Sequence, residues 1–589
     1  MYSYGTAGFR YHSSIMEQIA SKIGKALAIL SVENQKSYGI MITASHNAHC
    51  DNGVKIMNEN GCMVSSEEEL LLEKYVNFPP SSIIYSSLIP ILTFGYDTRK
   101  SSIDIQKLMI DEIKNCFPGA IIKIHDYPVT TPELHFEMAS PENNYVEFVA
   151  NQVQNITYPV VVDCANGVGA LTLKKILEKT DQKNVILDNI QVEEYESLNF
   201  FCGSDYVCNN FSSLDVKNYI KNTLYASFDG DADRIVFYCR FQDQMYLMDG
   251  DKISALICHY IMERKSDNCN VGLVYTAYSN SKFLDSLHKK IDKRCAATGV
   301  KNLHHEAEKF DIGVYFESNG HGTALFKKPM NGLEKWFHPT IGDSIMDLFA
   351  VLHILEELNW TPYRWSQMFI NDPYLTIKCK VANKKVFKTN WNETRIIEPL
   401  ELQDFLDEQP GFAFVRPSGT EDVIRIHIEA DNNEKVEKIK ENVLQFVKSK
   451  YMFEVRDACE DDYKKNHLFL YKQLTSIDPL QITREEYGTF INNNTIRVIE
   501  HEGKIIGGLT VLVEEKLIHN MGKVAHIEDV VVDKEYRSHG LGKLLIQDGI
   551  KIGNREKCYK IILDCEEKNV GFYEKCGFEK KEIQMAKYN

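Results

Sequence analysis

The chain has 589 residues, too many for a single hydrophobic core, so several domains of roughly 100–200 residues each are expected. A formal net charge of −16 and a pI near 5.6 exclude a general nucleic-acid or anionic-membrane surface, while leaving room for a local basic pocket that takes a small anion. The 15 cysteines are scattered, with no C-x-x-C pair and no Cys/His cluster at zinc spacing, which reads as reduced thiols in the cytoplasm. The N-terminal MYSYGTAGFRYHSS lacks the apolar core of a signal peptide. The longest apolar stretch, SIIYSSLIPILTF from Ser82, is too short and too interrupted to span a bilayer.

In chain order, the first three quarters alternate β-branched runs with amphipathic stretches. YPVVVDCANGVGA precedes LTLKKILEKT, LYASFDGDADRIVFY precedes DKISALICHYIMERK, and VGLVYTAY precedes SKFLDSLHKKI. This predicts α/β units with largely buried strands. From about Tyr374 the texture changes to strand-like segments, YLTIKCKV and GFAFVRPSGTEDVIRIHIEA, and then to a helix from about Asn433 with Val436, Ile439, Val443 and Phe446 on one face. A smaller α+β domain is expected there. A boundary near residue 450 follows from the change of motif; no Gly/Pro/Ser-rich linker marks it.

Four short stretches of the first 450 residues carry chemistry. TASHNAHCDNGVK, residues 43–55, sets Ser45 beside His46 and ten positions ahead of Lys55. A turn serine capping a helix is the plain alternative. FDGDADR places Asp229, Asp231 and Asp233 at every second position, so that in an extended segment the carboxylates converge on one hard cation such as Mg²⁺. A calcium loop is excluded, because Arg234 and Arg240 stand where glycine and glutamate are required. In RPSGTEDVIR, residues Arg416, Ser418, Gly419, Thr420 and Arg425 offer guanidinium forks, hydroxyls and exposed backbone suited to a phosphate dianion. ESNGHGT, residues 317–323, supplies carboxylate, amide and imidazole between glycines, as a loop that hydrogen-bonds sugar hydroxyls does.

In this order, together with YGTAGFR, GYDTRKSS, TTPELHF and VDCANGVGA, these stretches resemble the α-D-phosphohexomutases, and within them the phosphoacetylglucosamine mutases. The resemblance implies three α/β domains and one α+β domain, with divisions at 1–140, 141–245, 246–365 and 366–450. It implies that Ser45 is carried as phosphoserine, donates its phosphoryl group to the sugar through a bisphosphate, and takes back the other phosphate. Ser45, Asp229, Asp231 and Asp233 are then the Mg²⁺ ligands, and charge neutralisation and positioning govern the transfer. Arg10 and Lys55 are the implied acid/base or charge-stabilising groups, with Lys55 favoured because arginine is a poor base. Glu317, Ser318 and Asn319 are expected to hold the sugar, and Arg416, Pro417, Ser418, Gly419, Thr420 and Arg425 the phosphate that is not reacting. His46 is reduced to loop support. The chain departs from the family at Ala48, Tyr96, Lys100 and Ser318, none of them a catalytic group.

Beyond residue 450, VAHIEDVVVDKEYRSHGLGKLLIQDGIKIG predicts a strand, a turn and a helix, with Arg537, Gly540 and Gly542 at the junction. Glycines there expose N–H groups to a pyrophosphate at a helix N-terminus. Leu544 and Leu545 exclude a P-loop and a dinucleotide fingerprint. With LDCEEKNVGFYEKCGF, this segment resembles the GNAT acetyl-CoA-dependent N-acetyltransferases, specifically the glucosamine 6-phosphate N-acetyltransferases, over about 452–589; the division is drawn at 451–589. The implied fold is a mixed α/β sheet with a splayed strand at EDVVV. Val530, Val531, Val532, Ser538, His539, Gly540, Leu541, Gly542 and Lys543 are implied to bind the coenzyme, Asp564 to lie at the coenzyme and reaction centre, and Tyr573 to hydrogen-bond the departing thiolate. Thr475, Lys516, Leu517, Ile518, His519, Glu528 and Asp529 correspond to the amino-sugar phosphate site. Tyr588 stands where a phosphate-binding basic residue is expected, with Lys587 as its substitute.

The two resemblances are consecutive steps toward UDP-N-acetylglucosamine, and imply a bifunctional cytoplasmic enzyme using Mg²⁺ and acetyl-CoA, with no nucleic-acid or membrane partner, and a homodimer through the GNAT part. The alternative is a mutase of another hexose phosphate joined to a protein acetyltransferase or a non-catalytic acetyl-CoA-sensing module.

Overall fold

The computed structural model describes every residue except 6, 7, 81–88, 154, 155, 181, 267, 382, 420–422, 452, 454, 538, 539, 582–584, 586, 588 and 589. Two compact units account for the chain: 1–372 with 391–394, and 373–390 with 395–589.

The first unit is built on three mixed sheets. In the first, strands Phe9–His12, Asp51–Asn58, Ser37–Ile42, Ile91–Tyr96 and Ile121–Ile124 lie side by side in that order, and the last three are parallel. Ser37–Ile42 and Ile91–Tyr96 are apolar along most of their length because helices Ser13–Asn34 and Ser102–Cys116 cover the sheet. Helix Ser66–Asn77 starts with a reciprocal cap between Ser65 and Glu68. The second sheet runs Gln244–Met248, Ile235–Phe241, Leu224–Phe228, Val160–Asp163, Val185–Asp188. The third runs Asp292–Ala296, Val271–Thr276, Ile312–Phe316, Gly322–Phe326. One continuous core joins these two sheets to helices Gly250–Arg264 and Ser344–Leu358. The alternating α/β pattern read from the sequence is therefore realised. The FDGDADR segment departs from it: the three aspartates sit in a turn between Leu224–Phe228 and Ile235–Phe241, with Ala232 in the left-handed region at φ +61°. They converge by chain reversal, not by alternation along a strand.

Among its described residues the second unit holds three sheets, the smallest a pair formed by Lys388–Thr389 and Ile396–Glu398. Strands Tyr374–Cys379, Ile424–Glu429 and Phe412–Pro417 are antiparallel, and helix Asn433–Tyr451 packs Val436, Ile439, Val443 and Val447 onto them. In the last sheet, Val455–Asp457, Thr495–His501, Lys504–Glu515, Lys523–Val532 and Cys558–Ile562 follow in order, and helix Leu541–Arg555 covers one face. Among the described residues, no helix is long and apolar enough to cross a membrane.

Candidate active sites

In the first unit Ser45 follows strand Ser37–Ile42 and takes a left-handed φ of +54°, an unusual conformation for a residue with a Cβ. The loop is held in this shape from below. Arg99, with its side chain fully buried, donates to the carbonyl oxygens of Ser45 and Asn47, both at 2.9 Å, and also to those of Ala48 and Asp51. Asp97 orients Arg99 at 3.0 Å and accepts from Thr43, whose hydroxyl in turn receives the Ser45 N–H. Asn199 adds two further donations, to Ser45 and Asn47.

The Ser45 hydroxyl donates to Asp229 at 2.7 Å and lies 3.5 Å from Asp233. Carboxylate oxygens of Asp229, Asp231 and Asp233 all fall within 4.8 Å of one another, and one oxygen of Asp231 is buried without a hydrogen-bond partner. That donor set, three hard oxygens around a gap beside a hydroxyl, fits Mg²⁺. Lys55, on strand Asp51–Asn58, donates to Asp231 at 2.7 Å and to Asp233 at 2.6 Å. Burial works against its charge, but the two aspartates outweigh burial and hold the lysine above its ordinary range. Burial and the neighbouring carboxylates push Asp229 well up, whereas Lys55, His321 and Arg234 keep Asp233 well below the usual carboxylate range despite its burial.

Arg10, on strand Phe9–His12, donates to the Asn47 side chain at 3.2 Å and keeps a buried Nη2 without a hydrogen-bond partner. Burial and the nearby Arg234 pull its basicity down. His46 turns away from Ser45: its Nε2 lies 3.6 Å from Asp205, and burial with Arg234 pulls it well below the usual imidazole range. Ser45 donates elsewhere, to Asp229.

The sugar loop meets the metal loop through the backbone. The Ile235 N–H donates to Gly320, whose φ of +85° and close approach to the Ile235 carbonyl leave no room for a Cβ. Glu317 accepts from the Gly299 N–H at 2.9 Å, the Asn319 side-chain oxygen accepts from the His321 N–H, and the Ser318 hydroxyl is buried without a partner. His321 lies 4.0 Å from Asp233, with its Nε2 buried and unpartnered. The structure thus brings Ser45, Lys55, Arg10 and the three aspartates together, and connects Glu317–Asn319 to them through Gly320 and His321. Sequence reasoning missed Arg99, Asn199, Arg234, His321 and Thr131, which donates to Asp231 at 2.6 Å. Arg234 and His321 lie inside FDGDADR and ESNGHGT, and Arg99 and Thr131 inside GYDTRKSS and TTPELHF, so each had a motif around it but no role of its own.

In the second unit, Arg416 and Arg425 stand directly opposite each other across Phe412–Pro417 and Ile424–Glu429. The Ser418 N–H closes the turn onto Val423, and Lys384 donates to the Ser418 carbonyl at 2.9 Å. A Cβ at Gly419 would meet open space. Pro417 ends its strand; Thr420 lies outside the described residues.

In the last sheet, the pairing of Lys523–Val532 with Cys558–Ile562 stops at His526 opposite Ile562, so among the described residues Val530, Val531 and Val532 have no strand partner on that side. On the other side, one extra residue enters between Thr510–Glu528 and Gly508–Val531, with Asp529 at φ +54°. This is the splayed strand expected from the sequence. Gly540, at φ +78°, caps helix Leu541–Arg555, whose first turn contains Gly542 and Lys543; Ser538 and His539 lie outside the described residues. Tyr573 packs against the core beneath, and burial raises its phenol, which keeps it a hydrogen-bond donor. Glu528 and Asp564 both approach His526, at 3.2 and 3.3 Å. Thr475 is exposed, and its N–H donates to the Tyr471 carbonyl. Lys516, Leu517, Ile518 and His519 are not brought to Glu528 within one chain. They form the tip of the hairpin beyond Glu515 and Lys523, five positions along the strand from Glu528, or about 17 Å at 3.3–3.4 Å per residue. Tyr588 lies outside the described residues, and Lys587 is exposed.

Residues 249–335 and 138–236 match domains III and II of the family phosphoacetylglucosamine mutase AMG1. Residues 25–78 match the alpha/beta/alpha domain I, and residues 377–446 the C-terminal domain, of phosphoglucomutase/phosphomannomutase; residues 455–578 match the acetyltransferase (GNAT) family. The phosphoacetylglucosamine mutase of Candida albicans is 34% identical over 527 residues, covering 76% of this chain and 96% of the relative. Phosphoacetylglucosamine mutase 1 of Schizosaccharomyces pombe is 36% identical over 516 residues, covering 76% and 99%. The crystal structure of Aspergillus fumigatus N-acetylphosphoglucosamine mutase in complex with GlcNAc-6P and magnesium superposes with a TM-score of 0.70 at 28% identity, covering 76% of this chain and 95% of that one.

Proposed function

This chain belongs to the phosphoacetylglucosamine mutase family and carries a C-terminal GNAT domain, and from that premise we propose a bifunctional enzyme of amino-sugar phosphate metabolism. The GNAT part acetylates glucosamine 6-phosphate from acetyl-CoA, and the preceding part interconverts N-acetylglucosamine 6-phosphate and 1-phosphate, both in the cytoplasm. The observation that carries the mutase reading is the Ser45 hydroxyl 2.7 Å from Asp229, inside a convergent aspartate triplet. We divide the chain functionally at 1–140, 141–245, 246–365, 366–450 and 451–589.

Ser45 carries the phosphoryl group. Its backbone, fixed by Arg99 and Asn199, keeps the oxygen in place through repeated transfers. Asp229, Asp231 and Asp233 hold Mg²⁺, which supplies charge neutralisation for in-line transfer when bound. Lys55 starts protonated against Asp231 and Asp233, so it acts first as a proton donor or a neutralising charge. The unpartnered Nη2 of Arg10 and hydroxyl of Ser318 are free to bind substrate oxygens, Glu317, held by the Gly299 N–H, accepts from a sugar hydroxyl, and Arg416, Ser418 and Arg425 clamp the idle phosphate.

In the GNAT part, the unpaired edge of Val530–Val532 offers backbone groups to the pantetheine arm, and the start of helix Leu541–Arg555 receives the pyrophosphate. Tyr573 donates to the thiolate as the C–S bond breaks. Exposed Leu517 and Ile518 at the hairpin tip support a homodimer in which a second copy brings Lys516–His519 to the sugar phosphate.

A coupled assay from glucosamine 6-phosphate and acetyl-CoA with Mg²⁺ tests this reading. Ser45→Ala halts product at N-acetylglucosamine 6-phosphate, and Tyr573→Phe slows thiol release. Acetyl transfer to peptides but not to the sugar overturns the acetyltransferase half.

A further inference from the structure

Strand Lys523–Val532 directs the side chains of His526 and Glu528 to the same face of the last sheet, opposite the face covered by helix Leu541–Arg555. The His526 ring lies between two carboxylates. Its Nδ1 is 3.2 Å from Oε1 of Glu528, and its Nε2 is 3.3 Å from Oδ2 of Asp564, which follows strand Cys558–Ile562. The ring is partly buried, with a side-chain exposure of 20%, against 42% and 47% for the two acids. Three further charged groups share its surroundings. Glu514, on the neighbouring strand Lys504–Glu515, is paired with Lys516. Lys560 stands opposite Val524, two positions from His526 along the pleat.

The ring sits where pairing between the two strands ends, so it borders the gap that the splayed strand opens. A neutral imidazole has one N–H and one lone pair, and the group facing one nitrogen sets which nitrogen carries the proton. Here a carboxylate faces each nitrogen. One can hold the N–H while the other nitrogen receives a proton, and both acids then stabilise the cation that forms.

We propose that His526 is the residue that takes up the proton of the substrate ammonium in the acetyl-transfer reaction, with Glu528 and Asp564 as its orienting partners. The inference rests on the acetyltransferase reading above. The amino sugar arrives as an ammonium ion, which has no lone pair. One N–H bond of the ammonium breaks, its proton passes to the unprotonated ring nitrogen of His526, and the pair left on nitrogen forms the C–N bond to the thioester carbonyl. Collapse of the tetrahedral adduct breaks the C–S bond. The second nitrogen proton goes to the departing thiolate beside Tyr573, giving the free thiol, and the imidazolium returns its proton to water. Atoms and charge balance with no other reactant.

The test uses the full-length chain with acetyl-CoA and glucosamine 6-phosphate, following thiol release across pH 5.5 to 9.5, on the order of the span a histidine and an amine cover between them. His526→Gln is expected to lose about 10²–10⁴-fold in kcat/KM for the sugar near neutral pH. Its rate keeps climbing with pH where the wild type has levelled, because only free amine from solution reacts, so the gap narrows at alkaline pH. Acetyl-CoA affinity stays that of the wild type. His526→Ala is expected to regain rate when imidazole is added, and His526→Asn replaces His526→Gln if the latter does not bind acetyl-CoA. A loss that is uniform across pH, or a variant that keeps the wild-type rate, overturns the role of His526 while leaving the acetyltransferase reading intact. A wild-type chain that transfers no acetyl group to glucosamine 6-phosphate overturns both.

Discussion

The Ser45 hydroxyl donates to Asp229 at 2.7 Å, although the two are 184 positions apart in sequence and His46 is adjacent. That hydrogen bond supports the proposed role of Ser45 as a phosphoryl carrier beside the aspartates over deprotonation by the adjacent imidazole. Ser45→Ala and Asp229→Asn are each expected to lower mutase turnover by at least about 10³-fold, while His46→Gln costs less than about tenfold. Conversion of N-acetylglucosamine 6-phosphate to the 1-phosphate measures all three.

Removal of divalent cation separates the two proposed activities. Chelation is expected to stop the mutase step, and added Mg²⁺ to restore it, because two of the three clustered aspartates already face Lys55 and the third faces Ser45. Thiol release from acetyl-CoA continues at its former rate under the same conditions.

Arg99 touches no reacting atom in this arrangement, yet the serine loop depends on it. Arg99→Met leaves Asp97 buried without its cation and releases four backbone carbonyls. A loss of about 3–5 kcal/mol from the first unit is expected. All four tryptophans lie in that unit, so tryptophan fluorescence, excited where tyrosine does not absorb, reports on it during urea unfolding.

Asp343 caps helix Ser344–Leu358 and accepts from Tyr145 at 2.7 Å, and burial raises its carboxyl to about 7. The folded state thus holds a proton that the unfolded chain releases near pH 4. Stability contributed by this group is complete below the unfolded value and is lost as pH rises through about 7, at up to about 1.4 kcal/mol per pH unit. Asp343→Asn keeps an oxygen at the Oδ1 position to cap the helix, while its amide NH2 takes the Oδ2 position and donates to the Tyr145 hydroxyl oxygen. It is expected to remove one proton's worth of this slope between pH 4 and 7 in fluorescence-monitored urea unfolding.

What the sequence disclosed tracks how local each feature is. The aspartate triplet, the Ser45 and Lys55 segment and the turn before Leu541 are runs of a dozen residues or fewer, whose spacing is itself the chemistry. The strand-and-helix alternation was legible for the same reason, since buried parallel strands are continuous β-branched runs. Arg99 and Asn199 were not legible as loop clamps, because their bonds to Ser45 span 54 and 154 positions and no spacing rule encodes them. The aspartates were read correctly as a cluster but on the wrong backbone: period two suggested a strand, and the left-handed Ala232 makes a turn. His526 carried no signal because its meaning depends on Asp564, which the fold brings in from 38 residues away.

Tyr451 ends its helix buried against Phe387 and bonded to Glu401, and Phe453, two positions later, is buried in the next core against His501 and Tyr536. An anchor in each core leaves almost no slack between them. The phosphate-clamp strands and the acetyl-transfer sheet are thereby spliced rather than tethered. Shortening the gene at this point strips an aromatic plug from whichever half is kept.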